Sequence, residues 1–300
     1  MGWRCVMVES PARISIKQQQ LLIETEEPGQ LPLEDLCALL VESPRSQVTA
    51  AALAAIAQAG AVLWICDSRH MPCAVLLPYA QHSRHNAVVQ AQLNMGAARK
   101  KRLWQQIVRV KVENQARCLA LCGKEEAAQA LWSMAKQVAS GDGGHVEAAA
   151  AAAHFRALFG TGFTRGQEHG INAALNYGYA IMRGLTARTL TIYGFLGVLG
   201  IHHHSELNAF NLCDDLMEPL RPVVDLWVAQ HMSADMALGP AEKRQLFALL
   251  QVSILSGGQR HVLTHAVERY VQSLIRAVRF DEPPALLIPH LLPLAAHEDE

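Results

Sequence analysis

Near its N-terminus the chain alternates short apolar runs with turn formers. The runs are rich in β-branched residues or leucine, as in "RISIK", "LCALLV" and "VLWIC", and Ser-Pro or Pro-Gly pairs separate them. Short runs bounded in this way are typical of strands. One helical stretch, "VTAAALAAIAQAG", interrupts them and ends in Gly60, as helices often do. The pattern predicts a small, β-rich domain over residues 1–80.

Beyond this region the apolar positions follow the 3.6-residue period of α-helices almost to the end of the chain. "KRLWQQIVRVKVENQARCLALCG" places Leu103, Ile107 and Asn114 near one stripe, with basic residues on the other faces. We therefore expect an α+β protein of two domains, the second all-α over residues 81–280. Residues 281–300, with several prolines, are predicted to be a weakly structured tail or a docking arm. Further predicted helices span residues 124–139, 145–159, 170–194, 208–232, 240–255 and 260–280.

The chain has 300 residues, of which 51% are hydrophobic, and this suffices for two domains with substantial cores. The apolar run "LTIYGFLGVLGI" is far shorter than the roughly 20 residues of a membrane-spanning helix. The N-terminal "MGWRCVMVES" lacks the length and the cleavage pattern of a signal peptide. We expect a cytoplasmic protein that does not bind membranes, with its 7 cysteines reduced and packed as small apolar residues.

The net charge of −1 argues against a protein that coats nucleic acid indiscriminately, but the charges are distributed unevenly. Residues 97–117 hold many basic side chains and one acid, Glu113. A local basic face is what phosphate binding requires. A helix face that is merely solvated fits the same composition equally well. The basic residues of this group are Arg99, Lys100, Lys101, Arg102, Arg109, Lys111 and Arg117.

A glycine-rich turn leads into an alanine-rich helix in "SGDGGHVEAAAAAAHFRALFG", and the only early carboxylate of that helix is Glu147. Alanine lets a neighbouring helix or a ligand approach closely, so this carboxylate would stand in a crowded interface. A carboxylate in such a place needs a cation, a metal ion or a hydrogen-bond donor. Alternatively, Glu147 only favours the N-terminus of its helix electrostatically.

The stretch "LGIHHHSELNAFNLCDDLMEPLRPVVD" combines three histidines with three acids. Adjacent histidine side chains cannot all point one way, so at most one or two of them reach a shared site. On a helix, Glu218 shares a face with Asp214 or Asp215. The paired carboxylates need a cation, which is either Arg221 in an ion pair or a divalent metal ion. Two prolines beside Glu218 should kink or restart the helix and so aim this carboxylate.

If Glu147, one histidine and Glu218 converge, they provide two carboxylates and one imidazole. Such a donor set leaves coordination positions open, which suits Mg²⁺ or Mn²⁺ holding waters and a phosphate better than a closed zinc site. The ion would neutralise phosphate charge and activate the attacking oxygen of a phosphodiester transfer. The basic helix, together with Arg165, Arg183 and Arg221, would then hold the polyanionic backbone.

At these residues the chain closely resembles the first of the CRISPR-associated proteins, the spacer-acquisition integrase, in its type II form. The resemblance covers nearly the whole chain and implies an N-terminal β domain that forms a dimer interface and a C-terminal helical domain with a divalent-metal site. It implies that Glu147, His203 and Glu218 are the metal ligands, with Asp214 and Asp215 behind them. The matching stretches are "LWQQIVRVKVENQA", "SGDGGHVEAAAAAAHFRALFGTGFTR", "INAALNYGYAIMR" and the histidine and acid stretch quoted above.

The resemblance further implies the activity and the partners. Homodimers of this chain would flank a dimer of the small second CRISPR-associated protein in a heterohexamer. The complex would join the 3′-hydroxyl ends of a captured DNA fragment to the CRISPR repeat by transesterification. We also expect contacts with DNA from Lys101, Arg102, Asn172 and Asn176, together with Arg165, Arg183 and Arg221.

Two positions depart from the family pattern. His204 stands where another polar residue is common, and His154 follows the alanine run where relatives tend to carry Tyr, which leaves any phenolic role there open.

Two rival functions use the same residues. One is a nuclease that cuts branched, Holliday-like DNA in repair, and the other is a non-catalytic DNA-binding scaffold with structural acids and histidines. Hydrolysis and strand transfer differ only in the attacking oxygen, so the residues do not separate nuclease from integrase.

Overall fold

The computed structural model of the protein describes residues 2–79, 82–279 and 285–297. Its N-terminal part is built from strands and one helix, α1 (Ala50–Gln58). The apolar runs of this region form strands, as predicted. The strands are β1 (Arg4–Val8), β2 (Arg13–Lys17), β3 (Gln20–Glu24), β4 (Gly29–Pro32), β5 (Leu36–Val41), β6 (Gln47–Val48), β7 (Val62–Cys66) and β8 (Pro72–Leu76).

These strands form two sheets that share one core. One sheet has the order β1-β5-β7-β8 and the other the order β4-β3-β2-β6. β1, β5 and β7 run parallel, and β8 pairs antiparallel with β7. Every residue of β5 is buried because the strand lies between two cores. Leu39 faces the core between the sheets and Leu40 faces the helices, which explains the unbroken apolar run "LCALLV".

The C-terminal part is mainly helical. Strands thus come first and helices after them, which confirms the α+β class. In the part of the chain that the structure describes, no helix is both long enough and apolar enough to cross a membrane. The helices are α2 (His85–Leu93), α3 (Ala97–Leu121), α4 (Glu125–Gln137), α5 (Val146–Phe159), α6 (Gly170–Ile192), α7 (Asn211–Met217), α8 (Arg221–His231), α9 (Pro240–Ala248) and α10 (Leu263–Arg279).

The helices predicted over residues 240–255 and 260–280 are shorter than expected, because a β-hairpin lies between them. The hairpin follows α9 and precedes α10. Its turn contains Gly257 and Gly258, whose φ angles of +61° and +81° suit a two-residue turn that other residues rarely adopt. The short apolar run before the turn is therefore a strand. The two strands are β9 (Ser253–Ser256) and β10 (Gln259–Val262).

Helix α6 touches the N-terminal sheet. Gly184 lies against the ring of Trp64 on β7, where a Cβ atom would collide with the indole, so the missing side chain lets helix and strand touch. Arg188, about one turn further, is 1% exposed, and its Nε donates to the backbone oxygen of Gly60 at 2.5 Å. The β-rich and helical parts share one apolar core at this boundary.

The described part of the predicted tail packs on the helical part. Within residues 285–297, Ile288 and Leu291 are buried, and a backbone bridge ties His290 to β9. The side-chain amide of Asn114 on α3 donates to a backbone oxygen of the same segment at 3.0 Å. This segment is therefore a docked arm and not a weakly structured tail. Of the predicted tail, residues 281–284 and 298–300 lie outside the described residues.

Candidate active site

Glu147 lies in the first turn of α5, and the loop before it determines where that helix starts. Asp142 is buried, and its two carboxylate oxygens accept hydrogen bonds from the backbone N–H groups of Val146 and Glu147, each at 3.0 Å. These bonds satisfy N–H groups that a helix start leaves without a partner inside the helix. The Glu147 side chain extends to Lys111, and a purely electrostatic role at the helix start does not account for this contact.

Glu218 stands at a break between two helices. α7 ends just before it, a single 3₁₀ turn covers Glu218–Leu220, and α8 follows. Pro219 and Pro222 have no N–H group to donate, so the α-helical hydrogen bonds cannot continue through them. The single helix predicted over residues 208–232 is therefore two helices, which agrees with the restart that the prolines predict. The break turns the buried carboxylate of Glu218 towards α3.

Lys111 joins the two acids. Its ammonium group forms ion pairs with Oε1 of Glu147 and with Oε2 of Glu218, and its side chain is 6% exposed. Arg221 holds the other oxygen of Glu218, with Nε 2.9 Å from Oε1. Helix α3, helix α5 and the turn between α7 and α8 thus meet at one buried cation. We call Lys111, Glu147, Glu218 and Arg221 the charge cluster.

The pairing keeps this cluster ionised. Burial tends to raise the pKa of Glu218, but the charges of Lys111 and Arg221 outweigh it and lower the pKa to about 2. Burial likewise tends to lower the pKa of Lys111, and the charges of Glu218 and Glu147 turn the net change into an increase. Both groups are therefore charged at neutral pH. A pair of converging carboxylates is also what a divalent-metal site requires.

Asp215 organises the histidine loop, residues 200–204. Its buried carboxylate accepts hydrogen bonds from the backbone N–H groups of Ile201, His202 and His203 at 2.6, 3.0 and 3.0 Å. The same carboxylate lies 2.7 Å from Nδ1 of the His203 ring. This contact places a proton on Nδ1, so Nε2 is the nitrogen that can bind a metal ion.

The three histidines of the loop have different surroundings. The hydrogen bond to Asp215 raises the pKa of His203, and the charges of nearby acids act in the same direction. His202 stacks on Trp104, with ring centroids 4.2 Å apart, and burial against its neighbours lowers its pKa. Nδ1 of His204 lies 2.8 Å from a backbone oxygen, in an exposed position. His203 is thus the histidine whose ring a carboxylate orients.

The structure gathers the predicted metal ligands only in part. Glu147 and Glu218 meet at Lys111, and the charge of Glu218 contributes, after the Asp215 hydrogen bond, to the raised pKa of His203. Among the residues that the structure describes, no three His, Cys, Asp or Glu side chains are close enough together to hold a metal ion. The donors are of the kinds that Mg²⁺ or Mn²⁺ takes, but Lys111 lies between the carboxylates.

Arginines predicted to contact DNA have polar partners within the protein. Arg165 donates to the side-chain oxygens of Asn172 and Asn176, both at 2.6 Å. Asn172 is buried and its amide nitrogen donates to two backbone oxygens, so it is held where it orients Arg165, and its contact with DNA stays a prediction. Arg183 pairs with Asp214, with NH2 2.5 Å from Oδ2. Asn176 is exposed, and its contact with DNA stays a prediction.

An aromatic ring lies between two of these arginines. The guanidinium carbons of Arg165 and Arg221 are 5.3 Å and 4.6 Å from the centre of the Tyr179 ring. Stacking of this kind restricts the guanidinium groups and leaves their charge in place. Lys101 and Arg102, in contrast, are exposed near the start of α3. These two side chains are therefore accessible to a phosphate, as the predicted phosphate-binding face requires.

His154 belongs to the support of that ring. It is buried, and its Nε2 lies 3.0 Å from Oδ2 of Asp225. The other oxygen of Asp225 accepts a hydrogen bond from the hydroxyl of Tyr179. His154, which departs from the family pattern, thus helps to hold the ring of Tyr179 in place beside the charge cluster.

The sequence prediction did not place Lys111 in the candidate active site. It belongs to the basic group expected to bind phosphate or to face solvent, yet it is buried with Ile107 and Asn114 on α3. The sequence does contain a signal for this, because Lys111 has the spacing of one helix face with Ile107 and Asn114. A lysine on an apolar stripe needs an acid as its partner.

Comparisons with known proteins agree with this architecture. The family described as "CRISPR associated protein Cas1" matches residues 6–239. A relative named "CRISPR-associated endonuclease Cas1", from Neisseria meningitidis serogroup C (strain 8013), is 41% identical over 306 residues, which cover 100% of both chains.

Two solved structures have the same fold at low sequence identity. "Casposase bound to integration product" has a TM-score of 0.72 and 16% identity, covering 91% of this chain and 90% of that chain. The "Cas6-RT-Cas1--Cas2 complex" has a TM-score of 0.71 and 18% identity, covering 96% of this chain and 36% of that chain. Since the family match spans most of the sequence and the Neisseria relative spans all of it, the chain belongs to the Cas1 family of CRISPR-associated proteins, as its motifs predict.

Proposed function

We propose that this protein is a metal-dependent DNA endonuclease and integrase of CRISPR adaptation. It would join the 3′-hydroxyl ends of a captured DNA fragment to the CRISPR repeat by transesterification. The observation that carries the proposal is the charge cluster, in which Glu147 on α5 and Glu218 in the turn between α7 and α8 reach one buried cation, beside the histidine loop. Carboxylates repel each other in such a place unless a cation joins them. The name of the Neisseria relative, an endonuclease, supports the same activity.

Glu147, His203 and Glu218 would hold Mg²⁺ or Mn²⁺. Two carboxylates and an imidazole Nε2 fit ions that keep several waters and bind phosphate oxygens. When bound, such an ion neutralises charge on the phosphate and favours deprotonation of the attacking hydroxyl. Asp215 orients the ring of His203, and Arg221 holds one oxygen of Glu218 so that the other faces the centre of the cluster.

DNA would lie along the exposed start of α3 and the arginines beside the cluster. Lys101 and Arg102 have the freedom to follow a phosphate backbone. Arg165, Arg183 and Arg221 are oriented by amides, acids and a ring, so they would contact phosphates at defined positions. The solved casposase, described as bound to an integration product, supports an integration reaction for a protein with this fold.

We further propose that residues 1–80 form a homodimer interface and that residues 81–280 form the catalytic domain. Two homodimers would flank a dimer of Cas2, the small second CRISPR-associated protein, in a heterohexamer in the cytoplasm. The support is the description of a solved neighbour as a complex that contains Cas1 and Cas2.

A joining assay tests the proposed function. The protein and its small partner are incubated with a DNA fragment that carries 3′-hydroxyl ends and with a plasmid that holds the repeat, in Mn²⁺, Mg²⁺ or EDTA. We expect joined DNA only with a metal ion, and none with Glu147→Gln, His203→Ala or Glu218→Gln. Glu42→Gln is the control because it alters a buried carboxylate outside the cluster. Full joining by the three variants would overturn the site and favour the non-catalytic scaffold.

The same samples distinguish an integrase from a repair nuclease. Parallel samples hold branched, Holliday-like duplexes in place of the plasmid, and the cut and joined strands of both sets are separated on a denaturing gel. Joined strands at the repeat boundary are the expected result. Cutting of branched DNA without any joining, although the partner is present, would favour the nuclease.

A further inference from the structure

Lys111 lies where the proposed function needs a metal ion. It contacts both carboxylates that are predicted to be ligands, comes from a third helix and is 6% exposed. An ammonium group and a divalent cation take the same carboxylate oxygens. The two cations therefore compete for one position.

The balance of charge shows why both cannot stay. Glu147 and Glu218 carry two negative charges, and Lys111 and Arg221 carry two positive ones, so the charge cluster is neutral as it stands. A divalent ion added to it would leave two surplus positive charges in a largely buried site, and departure of one cation halves this surplus. Arg221 is fixed by its ion pair and by stacking on Tyr179. Lysine, with its flexible stem, is the cation that can leave.

We propose that Lys111 is a displaceable internal cation, which holds Glu147 and Glu218 together in the metal-free protein and swings out when a divalent ion binds between them. The inference rests on the proposed function, because it assigns the role of Lys111 towards the metal ion of that site. The way out is on the side of Glu147, whose side chain is 29% exposed, whereas that of Glu218 is 7% exposed. Lys111 thus pre-forms the acid pair and lowers the affinity of the site for metal ions.

The alternative to displacement is that Lys111 acts as a permanent brace between the two carboxylates. A brace would stay between the carboxylates while the metal ion binds their outer oxygens, as Arg221 stays on Glu218. The two roles differ in the accessibility of Lys111 when metal is bound, and in the metal affinity when the lysine is removed.

Lysine labelling of the wild-type protein tests the displacement directly. The full chain is treated briefly with acetic anhydride, with and without saturating Mn²⁺, and acetylation at each lysine is measured by mass spectrometry. We expect Lys111 to react slowly without metal and about tenfold faster with it, because a side chain must leave its buried position to react. Lys243, buried against Glu42, is the matched control and should not change. An unchanged or slower reaction of Lys111 in the metal-bound protein would overturn the proposal.

Metal affinity gives the second measurement, by titrating Mn²⁺ and following the free ion by electron paramagnetic resonance. We expect Lys111→Gln to bind Mn²⁺ about tenfold more tightly than wild type, since the competitor is gone. Lys243→Gln should match wild type within about twofold. Equal or weaker binding by Lys111→Gln would support the brace and overturn the displacement. If Lys111→Gln does not fold, the labelling of the wild type decides the question.

The controls separate failure of this inference from failure of the proposed function. Glu147→Gln and Glu218→Gln should both lose Mn²⁺ binding. If they bind like wild type, or if wild type binds no Mn²⁺, the metal site itself is wrong and the inference falls with it. If they lose binding while Lys111 shows neither faster labelling nor tighter binding on removal, the metal site stands and only the displacement is overturned.

Discussion

Two lysines of this molecule are buried against carboxylates, in very different settings. Lys243 on α9 pairs with Glu42, just after β5, with Nζ 3.0 Å from Oε1 and side chains 8% and 5% exposed. Lys111 on α3 meets Glu147 and Glu218 together. Both lysines satisfy the rule that a buried charge needs a partner. Both lysines are similarly buried, so the two settings differ in the number of acids, which is one for Lys243 and two for Lys111.

The difference separates a structural pair from a candidate active site. Lys243 and Glu42 balance each other and join the helical part to the β-rich part, so we call this pair the latch. In the charge cluster, the acids come from a capped helix start and from a proline break, where backbone geometry sets their direction. A single buried ion pair is weak evidence for anything beyond local structure. Two acids aimed at one point beside an oriented histidine indicate chemistry.

Removing one acid from each setting should give the largest contrast. We expect Glu218→Gln to lower the rate of joining at least ~100-fold, since even partners outside the ligands of a metal contribute about 10- to 100-fold. Glu42→Gln should leave the rate within about twofold because it lies in the latch. Initial rates of product formation at saturating Mn²⁺ measure both. Equal losses would remove the distinction between cluster and latch.

Removing each lysine should destabilise the protein in both settings. Lys243→Met leaves Glu42 buried without its main partner, and we expect a loss of about 3 kcal/mol in the free energy of unfolding. Lys111→Met should lose less, about 2 kcal/mol, because Arg221 still pairs with Glu218 and Glu147 is partly exposed. Urea unfolding in EDTA measures both values. A Lys111→Met protein as stable as wild type would mean that the acids do not depend on this cation.

Acid should weaken the cluster in a defined range of pH. The pKa of Glu218 is about 2 in the folded protein, below its ordinary value of 4.5. The contribution of Glu218 to the free energy of unfolding is therefore complete above its ordinary pKa and is lost as the pH falls towards 2. Between about pH 5 and 3.5, wild type should lose about 1 kcal/mol more unfolding free energy than Glu218→Gln. Urea unfolding at these two pH values tests this. Parallel losses in the two proteins would show that the cluster does not lower this pKa.

Replacing the latch pair by apolar residues should give the smallest effect. The latch variant Lys243→Met with Glu42→Leu should keep the stability of wild type within about 1 kcal/mol, since buried pairs are often replaceable in this way. The cluster variant Lys111→Met with Glu218→Leu leaves Glu147 and Arg221 without these partners. We expect it to remain about 2 kcal/mol less stable than wild type. Thermal and urea unfolding compare the two, and a latch variant as unstable as Lys243→Met alone would contradict the comparison.

Local signals account for the parts of the site that the sequence predicts. The glycine-rich turn before Glu147 and the prolines around Glu218 determine helix starts, which depend on neighbouring residues. His203 is singled out by the resemblance to the family, and its role as a ligand stays a prediction. The hairpin around Gly257 and Gly258 is missed because a short apolar run fits a helix as well as a strand, and pairing with a second strand decides between them.

Long-range contacts decide the rest. The basic group on α3 has one composition but two environments, with Lys101 and Arg102 exposed and Lys111 buried. Which face of α3 is buried depends on how α5 and the α7–α8 turn pack against it. The partners of Lys111 are therefore invisible in its own segment, and Glu147 is 36 residues away. The same holds for the docked arm, whose apolar residues need the surface of α3 and β9.

The sequence by itself determined the family, the order of strands and helices, and the acids and histidine proposed as ligands, because these follow from motifs and local backbone preferences. Only the tertiary structure decided that Asp215 orients His203, that Asn172 serves Arg165, and that Lys111 occupies the space between the acids. The physical reason is that burial and charge pairing are properties of surfaces brought together by folding. A buried charge is tolerated only when distant residues supply its partner.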